Sequence, residues 1–274
     1  MQEYICDMSF WMKHYDDFVA KNKNSVLIAT KFNFFDLLAS DSNLKDPDGR
    51  LENTFFEVLR RIKLHHIIPE EPYFEIIDEL FPNKEVQYSN KKDSEINGPS
   101  GFLTLLTTIE GKNYRDIPHI RENILKFARV SKIAKEKQKE ETKAIRKKIK
   151  FELKRDGKNQ KDYKNWVPSV ELFLKREIQR YAMSDNIYKP FFIKPDDIDI
   201  SSCELYINSL AYYLANGDQC PHKNDHVDVL LFLYVRNGRK ILMEDSQWTG
   251  NELKGKKGII EGIGLKDKYL GNLM

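Results

Sequence analysis

The 274-residue sequence contains only three cysteines, Cys6, Cys203 and Cys220, and their spacing is wide and irregular. This spacing excludes the disulfide framework of a small secreted domain and fits a protein of a reducing compartment. The sequence also lacks any apolar run near the roughly 18 residues that would predict a membrane span. The first residues show no signal-peptide pattern. We therefore expect a cytoplasmic protein with no membrane association.

Zinc motifs and internal repeats are absent as well. Cys220, His222 and His226 lie close together in the sequence, but no matching pair completes a tetrahedral zinc site, so we interpret this stretch as a polar loop. The absence of a repeat excludes a solenoid. Hydrophobic residues make up 41% of the chain and charged residues 32%, which excludes a largely disordered protein and predicts a globular one.

Positive charge is concentrated in one segment. Residues 126–164 contain 16 basic and 6 acidic residues, although the net charge of the whole chain is only +3, so the remainder is acidic. A basic segment on an acidic body is typical of a protein that binds polyanions, here most plausibly the phosphates of a nucleic acid. An alternative is a solvated helix with internal Glu–Lys pairs, or a docking surface for an acidic protein. The candidate phosphate-binding residues are Lys143, Arg146, Lys147, Lys150, Lys154 and Arg155.

Hydrophobic periodicity predicts alternating strands and helices at both ends of the chain, with helices between them. The predicted strands are 3–7, 25–29, 241–243 and 259–260. The predicted helices are 9–20, 31–39, 51–65, 70–81, 101–109, 117–133, 132–154, 167–183, 203–215 and the segment between Asp225 and Gly238, with a loop at 83–101.

This order of elements predicts an α/β fold that is divided by a large helical insertion. We expect residues 1–60 and 201–274 to form the two parts of one domain. Residues 61–200 would then form the insertion, which carries the basic helix.

Four aspartates lie at the ends of predicted strands or alone within apolar runs. Asp7 ends the first strand, Asp245 follows the strand 241–243, and Asp36 and Asp228 interrupt apolar helical segments. A carboxylate in such surroundings is costly to bury unless it is paired or binds a cation. The carboxyl ends of parallel strands meet at one edge of a sheet, where ligands collect. We therefore predict that these four acids converge on one site.

A cluster of carboxylates raises the pKa values of its own members unless cations neutralise it. Oxygen-only ligands select hard ions such as Mg²⁺ or Mn²⁺, and the matching chemistry is hydrolysis of a phosphodiester bond. Ser9 and Asp225 are candidate supporting residues. Ser9 either orients a ligand or water or caps its helix, and Asp225 is better explained as an N-cap.

Each of the four acids also has a purely structural explanation. Asp7 can cap the first helix, and Asp36 can face solvent on an amphipathic helix. Asp228 can interact with the dipole of its helix, and Asp245 can occupy a turn. The sequence leaves both kinds of explanation open.

The acidic motifs resemble those of PIN-like domains. Asp7-Met8-Ser9 is similar to the Asp-x-Ser/Asn opening of that family, and Thr30 followed by Asp36-Leu37-Leu38 is similar to its Ser/Thr…Glu-Leu-Leu helix. Asp228 with its apolar helix, and the strand that ends in Asp245, resemble the third acid and the terminal Asp of the family. The resemblance covers about residues 1–45 and 203–262.

The resemblance implies a Rossmann-like three-layer sheet and a nuclease dependent on Mg²⁺ or Mn²⁺. It also implies that Asp7, Asp36, Asp228 and Asp245 are catalytic metal ligands. Only this resemblance favours RNA over DNA as the substrate, because the sequence shows no motif that recognises the 2′-hydroxyl group of a ribose.

Three other functions stay open at this point. The chain can be a non-catalytic nucleic-acid-binding scaffold that keeps the fold without the metal. It can instead be a module that docks on a protein partner or on a second copy of itself. A phosphoesterase acting on small nucleotides would need the acids but not the basic helix.

Overall fold

The computed structural model describes residues 1–40, 45, 54–80, 118–159, 162–184, 194–216, 225–251 and 254–273. The strands are β1 (Glu3–Cys6), β2 (Val26–Thr30), β3 (His66–Ile68), β4 (Lys240–Leu242), β5 (Gly250–Asn251) and β6 (Lys256–Lys257). The helices are α1 (Tyr15–Lys21), α2 (Lys31–Leu38), α3 (Phe56–Lys63), α4 (Pro72–Leu80), α5 (Pro118–Arg155), α6 (Val167–Ser184), α7 (Glu204–Ala215), α8 (Asp225–Leu231), α9 (Ser246–Thr249), α10 (Ile259–Gly262) and α11 (Lys266–Tyr269).

β1 occupies an inner position in a four-stranded parallel sheet whose order is β3-β2-β1-β4. Tyr4 of β1 pairs with Leu27 of β2 on one side and with Lys240 of β4 on the other. The chain therefore moves outward from β1 to β3, passes through a long helical segment, and returns to the free side of β1. This topology confirms the predicted α/β class.

Alternate residues of the strands enter two apolar cores, one on each face of the sheet, because side chains of a strand point to opposite faces in turn. Helices α4, α6 and α7 contribute to the first core, and the segment before α1, together with α3, contributes to the second. The strand residues of the first core are Ile5, Ile28, Ile68 and Ile241, and those of the second are Cys6, Leu27, Ala29 and Leu242.

Helix α5 merges the two predicted helices 117–133 and 132–154 into one helix of 38 residues. Its buried positions are Ile124, Ala128, Lys135, Arg146, Ile149 and Leu153. Ile133 and Ile145, two of the few apolar residues of this helix, are 73% and 48% exposed. The helix therefore packs through a face on which two cations replace apolar residues.

Two predictions for strands are wrong. The chain forms β3 at His66–Ile68, where no strand was predicted, and Ile259–Ile260 begins the short helix α10. Gly258 just before α10 packs so closely on the end of α9 and the start of β5 that a Cβ there would lie 2.2 Å from Gly250 N. The chain then turns into α10, and the place beside β4 is taken by Leu270, which forms a parallel bridge with Ile241.

The predicted loop 83–101 and the predicted helix 101–109 lie outside the described residues, as do Cys220 and His222. Among the helices that the structure describes, none combines the length and the apolar composition needed to cross a bilayer.

Candidate active site

The carboxyl ends of β1 and β4 border the point at which the strand order reverses. β2 lies on one side of β1 and β4 lies on the other. The crevice outside such a reversal is the usual ligand site of an open parallel sheet. A cavity of about 1040 Å³ opens at this place. Six acidic residues line it: the four predicted aspartates Asp7, Asp36, Asp228 and Asp245, together with Glu244 and Asp267.

Asp7 directly follows β1 and is buried. Its backbone N–H donates a 3.0 Å hydrogen bond to the Leu242 carbonyl, which fixes the residue against β4. Its Oδ1 accepts a 2.8 Å hydrogen bond from the Phe10 N–H, so Asp7 also caps the π-helical turn Phe10–His14. Burial raises the pKa of Asp7 to about 7; hydrogen bonds from Phe10 and Ser9 lower it, and the charges of Asp36 and Asp245 raise it.

Ser9 holds the Asp7 carboxylate in place. Its Oγ lies 2.8 Å from each of the two carboxylate oxygens and donates its proton to them. The same Oγ accepts a 3.1 Å hydrogen bond from the Glu244 N–H. Ser9 therefore connects the end of β1 to the segment that follows β4.

Asp228 lies near the start of α8 and is half-buried at the wall of the cavity. Its Oδ2 accepts a 3.3 Å hydrogen bond from the Trp248 indole N–H. Burial raises its pKa well above the ordinary value, and the charges of Asp36, Asp245 and Asp7 raise it further. These mutual effects follow from the convergence of the four carboxylates on one cavity.

Asp36 lies in the second half of α2 and pairs with a cation from the long helix. Lys135 Nζ is 3.5 Å from Asp36 Oδ1, with side-chain exposures of 11% and 22% respectively. The ammonium is also 3.5 Å from the Ala39 carbonyl oxygen at the C-terminal end of α2, where a positive charge is favourable. Helix α5 thus delivers a positive charge beside one of the four acids.

Asp245 is exposed at the rim of the cavity and caps the short helix α9. Its Oδ1 accepts a 2.7 Å hydrogen bond from the Gln247 N–H. Asp7 thus caps a helical turn, as its structural explanation has it, and Asp245 caps a helix where the sequence suggested a turn; both residues also line the cavity.

Lysines accompany the acids around the cavity. Lys13 Nζ lies 2.6 Å from Glu244 Oε2, and this hydrogen bond lowers the pKa of Glu244. Lys240 and Lys266 line the same cavity. Cations at the rim of an acidic crevice suit a substrate that carries phosphates.

Asp225 does not line this cavity. It is buried at the start of α8, and its Oδ2 accepts a 2.6 Å hydrogen bond from the Tyr213 hydroxyl. Its support of the site is indirect, because it anchors the N-terminal end of the helix that carries Asp228.

The six candidate phosphate-binding residues of α5 do not share one face. Lys143, Lys147, Lys154 and Arg155 are exposed and Lys150 is half-buried. Arg146 is buried, and its guanidinium lies 4.0 Å from the centre of the Tyr213 ring. Arg146 therefore does not belong to an exposed phosphate-binding surface, because it packs on the body of the protein.

The donor chemistry of the four acids fits a hard divalent cation. All four present carboxylate oxygens, and the raised pKa values of Asp7 and Asp228 show that the cluster disfavours further negative charge. In the part of the chain that the structure describes, however, no three or more His, Cys, Asp or Glu side chains are gathered around a common point for a metal ion. A cation held by Asp7, Asp36, Asp228 and Asp245 would have to draw the carboxylates inward.

Lys135 and Trp248 are the site residues that sequence reasoning missed. Lys135 lies on the helix face that also carries Ala128 and Ile149, so its spacing of seven residues from Ala128 was the available signal. Trp248 follows Asp245 by three residues, but nothing in the sequence indicates that its indole reaches Asp228.

No family model, no curated protein and no solved structure matches this chain. The chain's own site therefore has to indicate the function. This site combines an acidic cavity at the reversal of a parallel sheet with a long helix that carries exposed lysines and one buried lysine.

Proposed function

We propose that the protein is a metal-dependent endonuclease with a PIN-like, Rossmann-like three-layer fold. Its site would hydrolyse phosphodiester bonds in a nucleic acid, with RNA as the preferred substrate. The observation that carries this proposal is the convergence of Asp7, Asp36, Asp228 and Asp245 on one cavity at the carboxyl edge of the sheet.

The four acids would hold one or two Mg²⁺ or Mn²⁺ ions. When bound, such ions activate water and stabilise the leaving oxygen of a phosphodiester. Ser9 orients the Asp7 carboxylate through both of its oxygens, and the Trp248 indole orients Asp228. Lys135 Nζ lies 3.5 Å from Asp36 and compensates part of the negative charge of the cluster.

The exposed cations of α5 would bind the substrate backbone. Lys143, Lys147, Lys154 and Arg155 are exposed to solvent, whereas Lys135 is buried and reaches the acidic cluster. Contacts with phosphates position a strand without selecting a sequence. Preference for RNA follows only from the resemblance of the motifs to PIN-like domains.

Cleavage of labelled single-stranded RNA and DNA tests the proposal. We expect cutting with Mg²⁺ or Mn²⁺, none with EDTA, and a loss of at least 100-fold in rate for Asp228→Asn. Asp197→Asn is the matched control, because Asp197 is exposed and lies outside the cavity. Intact strands with every metal would overturn the proposal.

A non-catalytic nucleic-acid-binding scaffold is the second candidate. It is favoured by the ion pair between Asp36 and Lys135 and by the lack, among the described residues, of side chains already gathered around a metal position. Binding of intact strands that survives EDTA and is unchanged in Asp228→Asn would support this function.

A further inference from the structure

Helix α5 carries a second apolar stripe on its solvent side. The stripe is marked by Val130, Ile133, Ile145 and Phe151, which are 61%, 73%, 48% and 69% exposed. A helix turns by about 100° per residue, so these four side chains lie within about 60° of one line along α5. Leu153, on the face that packs on the body of the protein, lies about 140° from that line. We call this exposed line of residues the α5 stripe.

The α5 stripe is long and continuous enough to form an interface. From Val130 to Phe151 it extends for about 32 Å at 1.5 Å per residue. Single exposed apolar residues need no explanation, whereas a contiguous exposed apolar surface with a polar rim usually marks a contact with another protein. The α5 stripe is therefore an interaction surface whose occupant has to be identified.

The apolar residues of the α5 stripe are arranged symmetrically about Lys139. Ile133 and Ile145 lie six residues before and after this position. Ala134 and Ala144, which are exposed on the same stripe, lie five residues before and after it. Reversal of the chain direction about this centre thus places isoleucine on isoleucine and alanine on alanine.

The charged residues at the middle of the α5 stripe are related by the same centre but have opposite signs. Lys137 lies two residues before it and Glu141 two residues after it. Within one chain Lys137 Nζ is 3.8 Å from Glu141 Oε1, and both side chains are exposed. An ammonium has three donors and a carboxylate about four acceptor sites, so each group can bind a further partner without losing this one.

We propose that the α5 stripe binds the same stripe of a second copy of this chain, with the two α5 helices antiparallel. A two-fold dimer needs a self-complementary patch, in which residue i of one copy contacts residue j of the other and the reverse. The symmetry about residue 139 provides such a patch. Each of the following contacts would occur twice: Ile133 with Ile145, Ala134 with Ala144, and Lys137 with Glu141.

The two ends of the α5 stripe fit the same register. Phe151 would contact Phe127 of the second copy, which is half-buried and lies with its ring centre 5.8 Å from that of Phe35. Val130 would contact Lys148, whose aliphatic stem can cover apolar surface while its ammonium stays in water. The aromatic residues would thus close the interface at both ends.

A parallel dimer and an unrelated partner fit the α5 stripe less well. In a parallel pair each residue meets its own copy, so Lys137 would face a lysine and Glu141 a glutamate, and like charges repel each other. A different protein could bind the stripe wherever its charges were placed, because it needs no symmetry in the surface that it contacts. The symmetry therefore favours a second copy in the antiparallel direction.

The proposed dimer leaves the candidate phosphate-binding lysines accessible. Lys143, Lys147 and Lys154 are exposed and lie about 100–140° around the helix from the centre of the α5 stripe. Dimer formation and strand binding can therefore be measured separately, and the proposed dimer does not depend on nuclease activity.

Analytical ultracentrifugation between about 1 and 100 µM, a range that covers ordinary reversible dimers, tests the proposal. We expect the wild type to change from monomer to dimer over this range. Ile133→Glu should weaken the dimer at least about tenfold, because it places a carboxylate against the apolar Ile145. Leu64→Glu is the matched control, since Leu64 is 75% exposed and follows α3, and this variant should dimerise like the wild type.

Two results of this experiment would overturn the proposal. A monomer at every concentration would leave the α5 stripe to a different protein. A dimer that Ile133→Glu does not weaken would be formed through another surface.

Exchange of the central charges tests the antiparallel register. Lys137→Glu places a carboxylate opposite Glu141, and Glu141→Lys places an ammonium opposite Lys137, so each variant alone should dimerise about five- to tenfold more weakly than the wild type. An equimolar mixture of the two variants should recover the strength of the wild-type dimer, because opposite charges then meet at both positions. Mixing cannot repair the ion pair within each helix, so recovery would report a contact between copies. Single variants as strong as the wild type, or no recovery on mixing, would overturn this register.

Cysteines at the matched positions measure the direction of the helices. Ile133→Cys and Ile145→Cys are oxidised separately and as a mixture, with the wild type as the background. We expect a covalent dimer in the mixture and only background levels in each variant alone, because the two positions meet only between antiparallel helices. Linking of each variant to itself as efficiently as to the other would overturn the antiparallel direction.

Discussion

Asp7 and Asp228 are the residues whose chemistry departs most from that of ordinary aspartates. The pKa of Asp7 is raised to about 7, whereas an unfolded aspartate has a pKa of about 3.9. Between these two values the folded protein binds more protons than the unfolded chain, so stability falls as the pH rises from about 4 to about 7. The pKa of Asp228 is also raised, and its ionisation has the same sign.

Asp7→Asn and Asp228→Asn should therefore stabilise the metal-free protein at high pH. We expect each variant to melt at least about 2–4 °C above the wild type at pH 8, which corresponds to about 1 kcal/mol, and to show a smaller gain at pH 4.5. Thermal unfolding in EDTA at the two pH values measures this difference. Asp197→Asn should change neither value, and a destabilisation by both variants at pH 8 would contradict the pKa assignment.

The sequence predicted four of the six acidic residues that line the cavity, because each of the four stands at a strand end or within an apolar run. It could not predict Lys135, because the ion pair with Asp36 joins residues 99 positions apart and depends on how α5 lies across α2. The hydrogen bond from the Trp248 indole to Asp228 could not be predicted for the same reason. Local patterns show which acids are unusual, whereas their neighbours are set by the packing of distant elements.

At the scale of elements, α5 departs at several positions from the usual pattern of an amphipathic helix. Lys135 and Arg146 are buried, whereas Ile133 and Phe151 are 73% and 69% exposed. The cause is geometric, since the two cations occupy the same face as Ile124, Ile149 and Leu153. Long side chains cover apolar surface with their stems and place their charges beside Asp36 and on Tyr213.

The exposed face of α5 should determine how binding depends on salt. Neutralising Lys143, Lys147, Lys154 and Arg155 to Gln removes up to four phosphate contacts. On single strands each contact contributes about 0.7 to the slope of log K against log salt, so we expect the slope to fall by up to about 3. Titrations of a labelled single strand at several salt concentrations give both slopes.

The matched control neutralises four exposed lysines elsewhere, Lys21, Lys23, Lys63 and Lys194. Its slope should stay close to that of the wild type. Equal losses in the two quadruple variants would mean that overall charge, and not the face of α5, attracts the strand.

Short elements were the least predictable part of the fold. β3 and β4 have three residues each, which is too few to recognise the alternation of apolar and polar residues along a strand. β4 was predicted because Ile241 and Leu242 follow a clear turn at Asn237-Gly238. Ile259–Ile260 has the same apolar character but enters a helical turn, so composition alone does not separate the two cases.

At the scale of the whole molecule, ion pairs join segments that are distant in the sequence. Arg239 lies 3.0 Å from Glu3 at the start of β1 and 3.0 Å from Glu75 in α4. Arg236 is buried and pairs with Glu79, also in α4. These contacts attach the C-terminal part of the sheet to both the first strand and the helix that follows β3.

Arg239→Ala should lower the free energy of unfolding by about 1–2 kcal/mol, because it leaves two partly buried carboxylates without their cation. Urea unfolding at pH 7 measures the loss. Arg180→Ala is the control, since Arg180 is 76% exposed and pairs only with Glu177 one turn earlier, an arrangement worth at most about 0.5 kcal/mol. Equal losses in the two variants would show that Arg239 does not join the segments.

The division of the site along the chain has a consequence for protein synthesis. Asp7 and Asp36 are translated early, but Asp228 and Asp245 follow only after about 190 further residues, which take roughly 10–40 s at 5–20 residues per second. During this interval the first strands have no β4 to pair with and the acidic cavity has only half of its wall. If the chain is a nuclease, the ribosome and its messenger are in contact with a nascent protein whose cutting site does not yet exist.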